Sequence, residues 1–205
     1  MFLRNPIAGF VLWTALVYGA LAAPWPGLQQ AYSRAYRGTA RIVFGSIGPD
    51  GIVEFVASPV PRGASDTQII IRNRHRSAFT VSPHAPRRAG YLPTALLAAL
   101  TMATPLPWTR RLKALAWGVA AVHLYVGLRL AVTLAHGFNG TSEWCLYELP
   151  RWWSSSLAAA YEMISISPTT PFLVAVFAWG LIGFRRGDWS RIFGREGKLH
   201  PRGKA

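Results

Sequence analysis

A chain of 205 residues with 51% apolar types and 15% charged residues has room for one or two small units and is poorer in charge than an average soluble domain, at about 25%. Its formal charge of +14, from 22 Lys and Arg against 8 Asp and Glu, points to an anionic partner, and the long apolar runs favour membrane lipid over nucleic acid. Cys145 is the one cysteine, which excludes an intrachain disulfide and a cysteine zinc knuckle.

Four stretches approach the roughly 20 mainly apolar residues that a spanning helix needs. They run from Pro6 to Ala23, Gly90 to Trp108, Ala114 to Ala135 and Pro171 to Phe184. The first also carries Ala20-Leu21-Ala22, the small-x-small form of a signal-peptide cleavage site. Only Arg4 precedes its apolar run, however, and Trp13, Tyr18 and Trp25 resemble an interfacial aromatic belt, so an uncleaved anchor is expected.

Residues 24–89 form the sizeable polar region. Gln29 to Phe44 reads as an amphipathic helix, with Tyr32, Ala35, Tyr36, Ala40 and Val43 at helical spacing. Gly48-Pro49-Asp50-Gly51 is a turn signal. Three β-type runs follow, Ile52 to Ala57, Thr67 to Asn73 and Ala78 to Ser82, which predict a three-stranded meander too small to stand without a packing partner. Between the third and fourth apolar stretches, Trp144 to Ile166 is too polar to cross lipid and reads as an interfacial helix beginning near Pro150.

The fold class expected is thus a mainly α-helical polytopic membrane protein, with four transmembrane helices and a small extracytoplasmic helix plus three-stranded β region. Its segments are 1–23, 24–89, 90–135 with two spans, 136–168, 169–184 and a basic tail 185–205. Cationic loops resist translocation, and seven basic residues follow the fourth stretch while Arg110, Arg111 and Lys113 precede the third. That distribution puts both termini in the cytoplasm and residues 24–89 outside. Arg87 and Arg88 oppose the assignment, being on the translocated side, although the charge rule weakens in so long a loop.

Ionisable residues inside a bilayer are functional candidates by default. His123 and Arg129 fall in the third stretch, six residues apart and on different faces, whereas Arg129 and His136 are seven apart and share one. Snorkelling, or pairing with Glu143, Glu148 or Glu162, is the plain reading of Arg129, and helix packing that of His123. Cys145 beyond the helix would need a base and a cation to become a nucleophile, roles open to His136 and Arg129; a small packing residue is the plainer reading. Arg72, Arg74, His75, Arg76, His84, Arg87 and Arg88 make a basic cluster without an intervening acid, suited to lipid headgroups, an acidic glycan or an acidic partner loop, or simply a solvated face. No glycine-rich phosphate loop, Ser nucleophile elbow or metal-spaced His and carboxylate pair is found, so no cofactor and no metal is expected. Asn139-Gly140-Thr141 is a formal sequon.

The stretch from Arg72 to Leu115 carries Arg87-Arg88, Gly90-Tyr91-Leu92-Pro93, Ala103-Thr104-Pro105 and Arg110-Arg111. On these motifs, and on Ala23-Pro24-Trp25-Pro26-Gly27-Leu28, it resembles the exosortase-associated membrane proteins, in particular those that accompany exosortase H. The resemblance covers roughly residues 1–135. It implies a bacterial inner-membrane accessory to a system that cuts C-terminal sorting tails, often beside exopolysaccharide genes, with an exosortase or its substrates as partner. Exosortases themselves are implied to use a membrane-embedded Cys with Arg and His or a second Arg. Cys145 lacks the small-residue surroundings of that nucleophile and no later helix supplies the matching Arg, so a non-catalytic adaptor is expected. A thiol-dependent protease or transpeptidase using Cys145, and a lipid- or glycan-binding scaffold, are the rival expectations.

Overall fold

The computed structural model describes residues 6–62, 65–76 and 78–183. Arg4, Phe184 and the basic tail 185–205 lie outside them. Chain order is α1 (Pro6–Ala22), α2 (Trp25–Phe44), β1 (Ser46–Ile47), β2 (Gly51–Arg62), β3 (Ser65–Asn73), β4 (Phe79–His84), a π-helical turn (Arg87–Tyr91) running into α3 (Leu92–Ala103), then α4 (Trp108–Phe138), α5 (Arg151–Tyr161) with a second π-helical turn (Glu162–Ile166), and α6 (Thr170–Gly183).

Prolines set most boundaries. Pro24 ends α1 and opens α2, where a missing N–H costs nothing. Pro105 pushes Thr104 into an extended conformation, so α3 stops at Ala103, and Pro107 and Pro150 precede α4 and α5.

Four transmembrane helices are not supported. Among the described residues one helix, Trp108–Phe138, is long and apolar enough to cross a membrane. At about 1.5 Å rise per residue its 31 residues reach about 46 Å, but the 17 of α1, 12 of α3 and 14 of α6 reach about 25, 18 and 21 Å, short of a hydrocarbon core of about 30 Å. Two further helix pairs pass jointly but are bent, Ile7–Ala22 with Gly27–Phe44 by 79° and Arg151–Ile166 with Thr170–Gly183 by 78°, so three crossings is the upper limit. The arrangement with both termini inside rested on an even number of crossings and loses that basis. The one span-length helix is compatible with a membrane location; the Gly90–Trp108 run is cut by the extended Thr104–Pro107 link to a helix of 12 residues, while the runs from Pro6 and Pro171 form helices of 17 and 14 residues that are short from the outset.

The β region is an antiparallel meander of four strands in the order β1-β2-β3-β4, one more than the three expected, because Ser46 and Ile47 pair with Ile52 and Gly51. Register places Val53, Phe55, Ile69 and Ile71 on one face. That face packs on Ala40 of α2 and on Leu130, Leu134 and Phe138 at the end of α4, forming one core. A second core joins Leu97 of α3, Val122 of α4 and Ala175 and Ala178 of α6. Gly118 lets α3 come close to α4, since a Cβ there would lie 2.7 Å from Leu97 Cδ2. The helix expected to begin near Pro150 is present as α5.

Phe138 is fully buried between α4 and the sheet. Phe138→Ala is therefore expected to cost about 3–5 kcal/mol at this junction. Hydrogen exchange should show loss of protection in β2 and β3 with Leu97 and its neighbours unaffected; an equal loss in both cores would show that they are one cooperative unit.

Candidate functional site

The motif residues around Gly90 build the joint between the helices. A Cβ on Gly90 would sit 2.3 Å from the Tyr32 hydroxyl, so any other residue here would push the Tyr32 side chain of α2 aside. Tyr91 meets Tyr32 edge-on at 5.5 Å and donates its hydroxyl to the Leu21 carbonyl at the end of α1. Pro93 is buried in the first turn of α3. At the other end of α3, Thr104 Oγ1 donates to the Leu100 carbonyl and accepts from Trp179 Nε1 at 2.9 Å, beside the exposed Pro105. Arg110 and Arg111 lie in the first turn of α4, with the Arg111 guanidinium 5.1 Å from the Trp108 ring centre.

Arg129 and His136 do share a face of α4, and it is the face that holds α5. Arg129 donates to the Ser165 carbonyl in the π-helical turn, Tyr125 donates to Ile164 O at 3.0 Å, and Thr133 Oγ1 donates to Ser165 Oγ at 3.0 Å. His136 stacks on Tyr161 at 4.3 Å. A cation at the C-terminal carbonyls of a helix is favoured by the helix dipole. None of Glu143, Glu148 and Glu162 forms an ion pair with Arg129 among the described residues. His123 faces elsewhere and donates Nδ1–H to the Val119 carbonyl of its own helix at 2.9 Å.

Cys145 Sγ lies 3.9 Å from the Gly137 carbonyl. Arg129 is eight residues from Gly137, about 12 Å along the axis, and no hydrogen bond joins Cys145 to His136 or Arg129 among the described residues. The three candidate catalytic groups are therefore not assembled around one point.

The basic cluster is divided. Arg72 pairs with Glu54 across the sheet, and His75 Nε2 lies 2.9 Å from Asp50 Oδ1, with Arg74 and Arg76 exposed in the same turn. His84, Arg87 and Arg88 stand at the opposite end of β4, about 20 Å away along a six-residue strand. Glu54 of β2 and Asp50 of the turn before it, both distant in sequence, pair with Arg72 and His75 of the first group.

A buried polar cluster that sequence reasoning missed ties α2 to the sheet. Ser33 Oγ donates to Asp66 Oδ2, Gln29 Nε2 donates to the same oxygen at 3.3 Å, and Thr67 Oγ1 donates to Asp66 Oδ1 at 3.1 Å while accepting from Arg37 Nη1 at 3.2 Å. Tyr36 and His84 share a 2.7 Å hydrogen bond. One signal was available: Asp66 is the sole acid between Glu54 and Glu143 in a strongly basic chain. Desolvation first, then the Arg129 guanidinium, lowers the His84 pKa to about 4, with Asp66 acting the other way; burial raises that of Tyr36.

Between α2 and the middle of α4 runs an open, mainly apolar groove of about 300 Å3, walled by Tyr32, Tyr36, Val43, Val126 and Leu130, with His123 and Gly127 along it. No group of three His, Cys, Asp or Glu suited to a metal occurs among the described residues. Comparison with known families, curated proteins and solved structures gives no match.

Because folding favours the neutral His84 ring, the unfolded chain takes up the proton first. The stabilisation is complete above pH 6.5 and is lost as pH falls towards about 4, by at most about 3 kcal/mol. Amide exchange in β3 and β4 should accelerate over that interval, and His84→Gln should flatten the dependence; an unchanged profile would exclude His84 as its source.

Proposed function

We propose that this chain is a non-catalytic accessory protein of a bacterial inner membrane, an adaptor that presents its sheet to a partner of the exosortase type or to that enzyme's substrates. Support comes first from α4, a membrane-length apolar helix whose end carries a sheet with exposed side chains on its far face among the described residues. Register puts Ile52, Arg72 and Phe79 in one row across that face, and Glu54, Ile70 and Val81 in the next. Phe79 and Val81 are 58% and 41% exposed. An apolar patch crossed by a Glu54–Arg72 pair has the make-up of a protein interface, with apolar contacts for affinity and charge for register.

The resemblance supplies the kind of partner, and the joint built by Gly90, Tyr91 and Pro93 supplies a reason for those motif residues in an adaptor: they hold the sheet in a set direction from the bilayer. Sidedness follows from charge. Arg110, Arg111 and Lys113 favour the cytoplasmic side for the start of α4, which puts the sheet packed on its far end outside and requires the stretch between them, with the π-helical turn and α3 as one continuous helical piece Arg87–Ala103, to return across the bilayer.

Co-expression with an exosortase-type enzyme tests the reading. The wild-type chain should copurify with it in mild detergent, and Phe79→Asp with Val81→Asp should abolish recovery while Cys145 stays reactive to an impermeant thiol reagent on intact cells. Recovery equal to wild type would refute the docking face; Cys145 labelling restricted to inverted vesicles would refute the sidedness.

A further inference from the structure

Strand β4 closes the sheet on one side, and no strand lies beyond it among the described residues. We propose that this edge takes up an extended segment of the partner as a further strand, apolar in its centre and acidic at both ends. The inference rests on the adaptor reading and deepens it by naming the kind of segment that is received beside the exposed face.

Register decides which backbone groups of β4 point outward. Arg74 N–H donates to the Asp50 carbonyl at 2.8 Å, one pair beyond Gly51 and Asn73, and Val53 N–H donates away from β3, to the Gly45 carbonyl at 3.1 Å. The even-numbered residues of β3 therefore bond to β2, and the odd-numbered Thr67, Ile69 and Ile71 bond to His84, Ser82 and Thr80 of β4. That leaves Phe79, Val81 and Pro83 with their backbone turned outward, and no hydrogen bond to those groups occurs among the described residues. Pro83 agrees with this parity, because a proline fits an edge strand where its missing N–H faces off the sheet. Edges are ordinarily blunted by charge, by a bulge or by very short length. β4 runs six residues in unbroken register, and none of them is Lys, Arg, Asp or Glu.

Backbone chemistry and charge choose the occupant. A row of unpaired N–H and C=O groups is complementary to another extended backbone and not to a helix, whose own groups are bonded internally. The side chains of Phe79, Val81 and Pro83 are all exposed on one face, so apolar side chains of the added strand on that face would widen the apolar patch. Arg74 and Arg76 stand before β4 and Arg88 after it, exposed and in no ion pair among the described residues. They lie about 20 Å apart along the strand, with no acid in the sequence between them. A second copy of β4 laid antiparallel would set one copy's Arg74 and Arg76 against the other's Arg88, whereas acidic ends on a foreign segment are matched at both.

Full-length protein in mild detergent, titrated into a fluorescent peptide of β4 length with alternating Val and Thr between paired Asp residues, provides the test. Anisotropy should show saturable binding. Methylating the backbone N–H of every Val, or of every Thr, gives two further peptides; one should lose roughly tenfold or more in affinity and the other should keep it, since only alternate amides of a strand face the edge. Val81→Pro removes an outward N–H that lies outside the β3–β4 ladder and should weaken the unmethylated peptide by a similar factor. A peptide ended in Lys in place of Asp should bind several-fold more weakly. Absence of saturable binding, or equal behaviour of the two methylated peptides on the wild-type chain, would overturn strand addition; equal affinity of the Lys-ended peptide would overturn the acidic ends. A wild-type dimer that Val81→Pro turns into a monomer would assign the edge to a second copy and overturn the proposal. Copurification with the exosortase-type enzyme separates the inference from its premise: recovery without peptide binding refutes the edge site alone, and peptide binding without recovery refutes the adaptor reading alone.

Discussion

The continuity of α4 is the constraint on which the other contacts depend. A single unbroken helix presents Val122 to α3 and α6 in one core, and Leu130, Leu134 and Phe138 to the sheet in the other. Spacing of about 3.6 residues per turn makes Val122, Val126, Leu130, Leu134 and Phe138 one buried stripe. Any kink between Val126 and Leu130 would rotate the sheet-bearing end away from the sheet. The lone interior glycine near that point, Gly127, therefore faces the open groove and leaves the packed stripe intact.

The same helix explains how a cation is tolerated in an apolar segment. The Arg129 guanidinium donates to the Ser165 backbone carbonyl at the end of the α5 turn, and the Thr133 and Ser165 hydroxyls, bonded to each other, both donate to the Arg129 backbone carbonyl, so a neutral acceptor stands where a carboxylate partner was expected. The interaction works in both directions: the guanidinium gains a desolvated acceptor, and the helix end gains a donor for a carbonyl that has no partner within the helix. Its positive field also reaches His84 and helps to keep that ring neutral, so the Tyr36–His84 contact between α2 and β4 is coupled to a charge on α4.

Much of this fold was legible in local pattern. The α2 periodicity, the strand runs and the start of α5 after Pro150 were each marked by spacing or punctuation, and the seven-residue interval from Arg129 to His136 correctly placed both on one face. What local pattern could not convey was length after tertiary assembly. Apolar runs from Pro6 and Gly90 looked like spans, yet the first makes a helix of only 17 residues and the second is stopped at Ala103 by Pro105. Two-residue β1 has no sequence signature of its own and exists because the Gly51 turn brings Ser46 back onto Ile52. The basic cluster likewise looked unbalanced because Glu54 and Asp50 reach it only through strand pairing. Asp66 was visible as an isolated acid, but its meaning depends on Ser33 and Gln29 arriving from another element.

Short helices packed on a long one pose a problem of their own, because each ends in carbonyls without helical partners that need donors from elsewhere in the fold. At two of these ends the chain answers with side chains. Tyr91 donates to Leu21 O at the end of α1, and Thr104, held by Trp179, adds its hydroxyl to the backbone N–H already bonded to Leu100 O at the end of α3. Trp179 in turn stacks on Phe10 at 5.8 Å, which draws α1, α3 and α6 together at one point. The Gly-Tyr-Leu-Pro and Ala-Thr-Pro motifs thereby acquire a physical meaning independent of any resemblance: Tyr91 supplies a donor to a carbonyl at the end of the 17-residue α1, and Thr104 with Trp179 fixes where the 12-residue α3 stops beside its 31-residue neighbour.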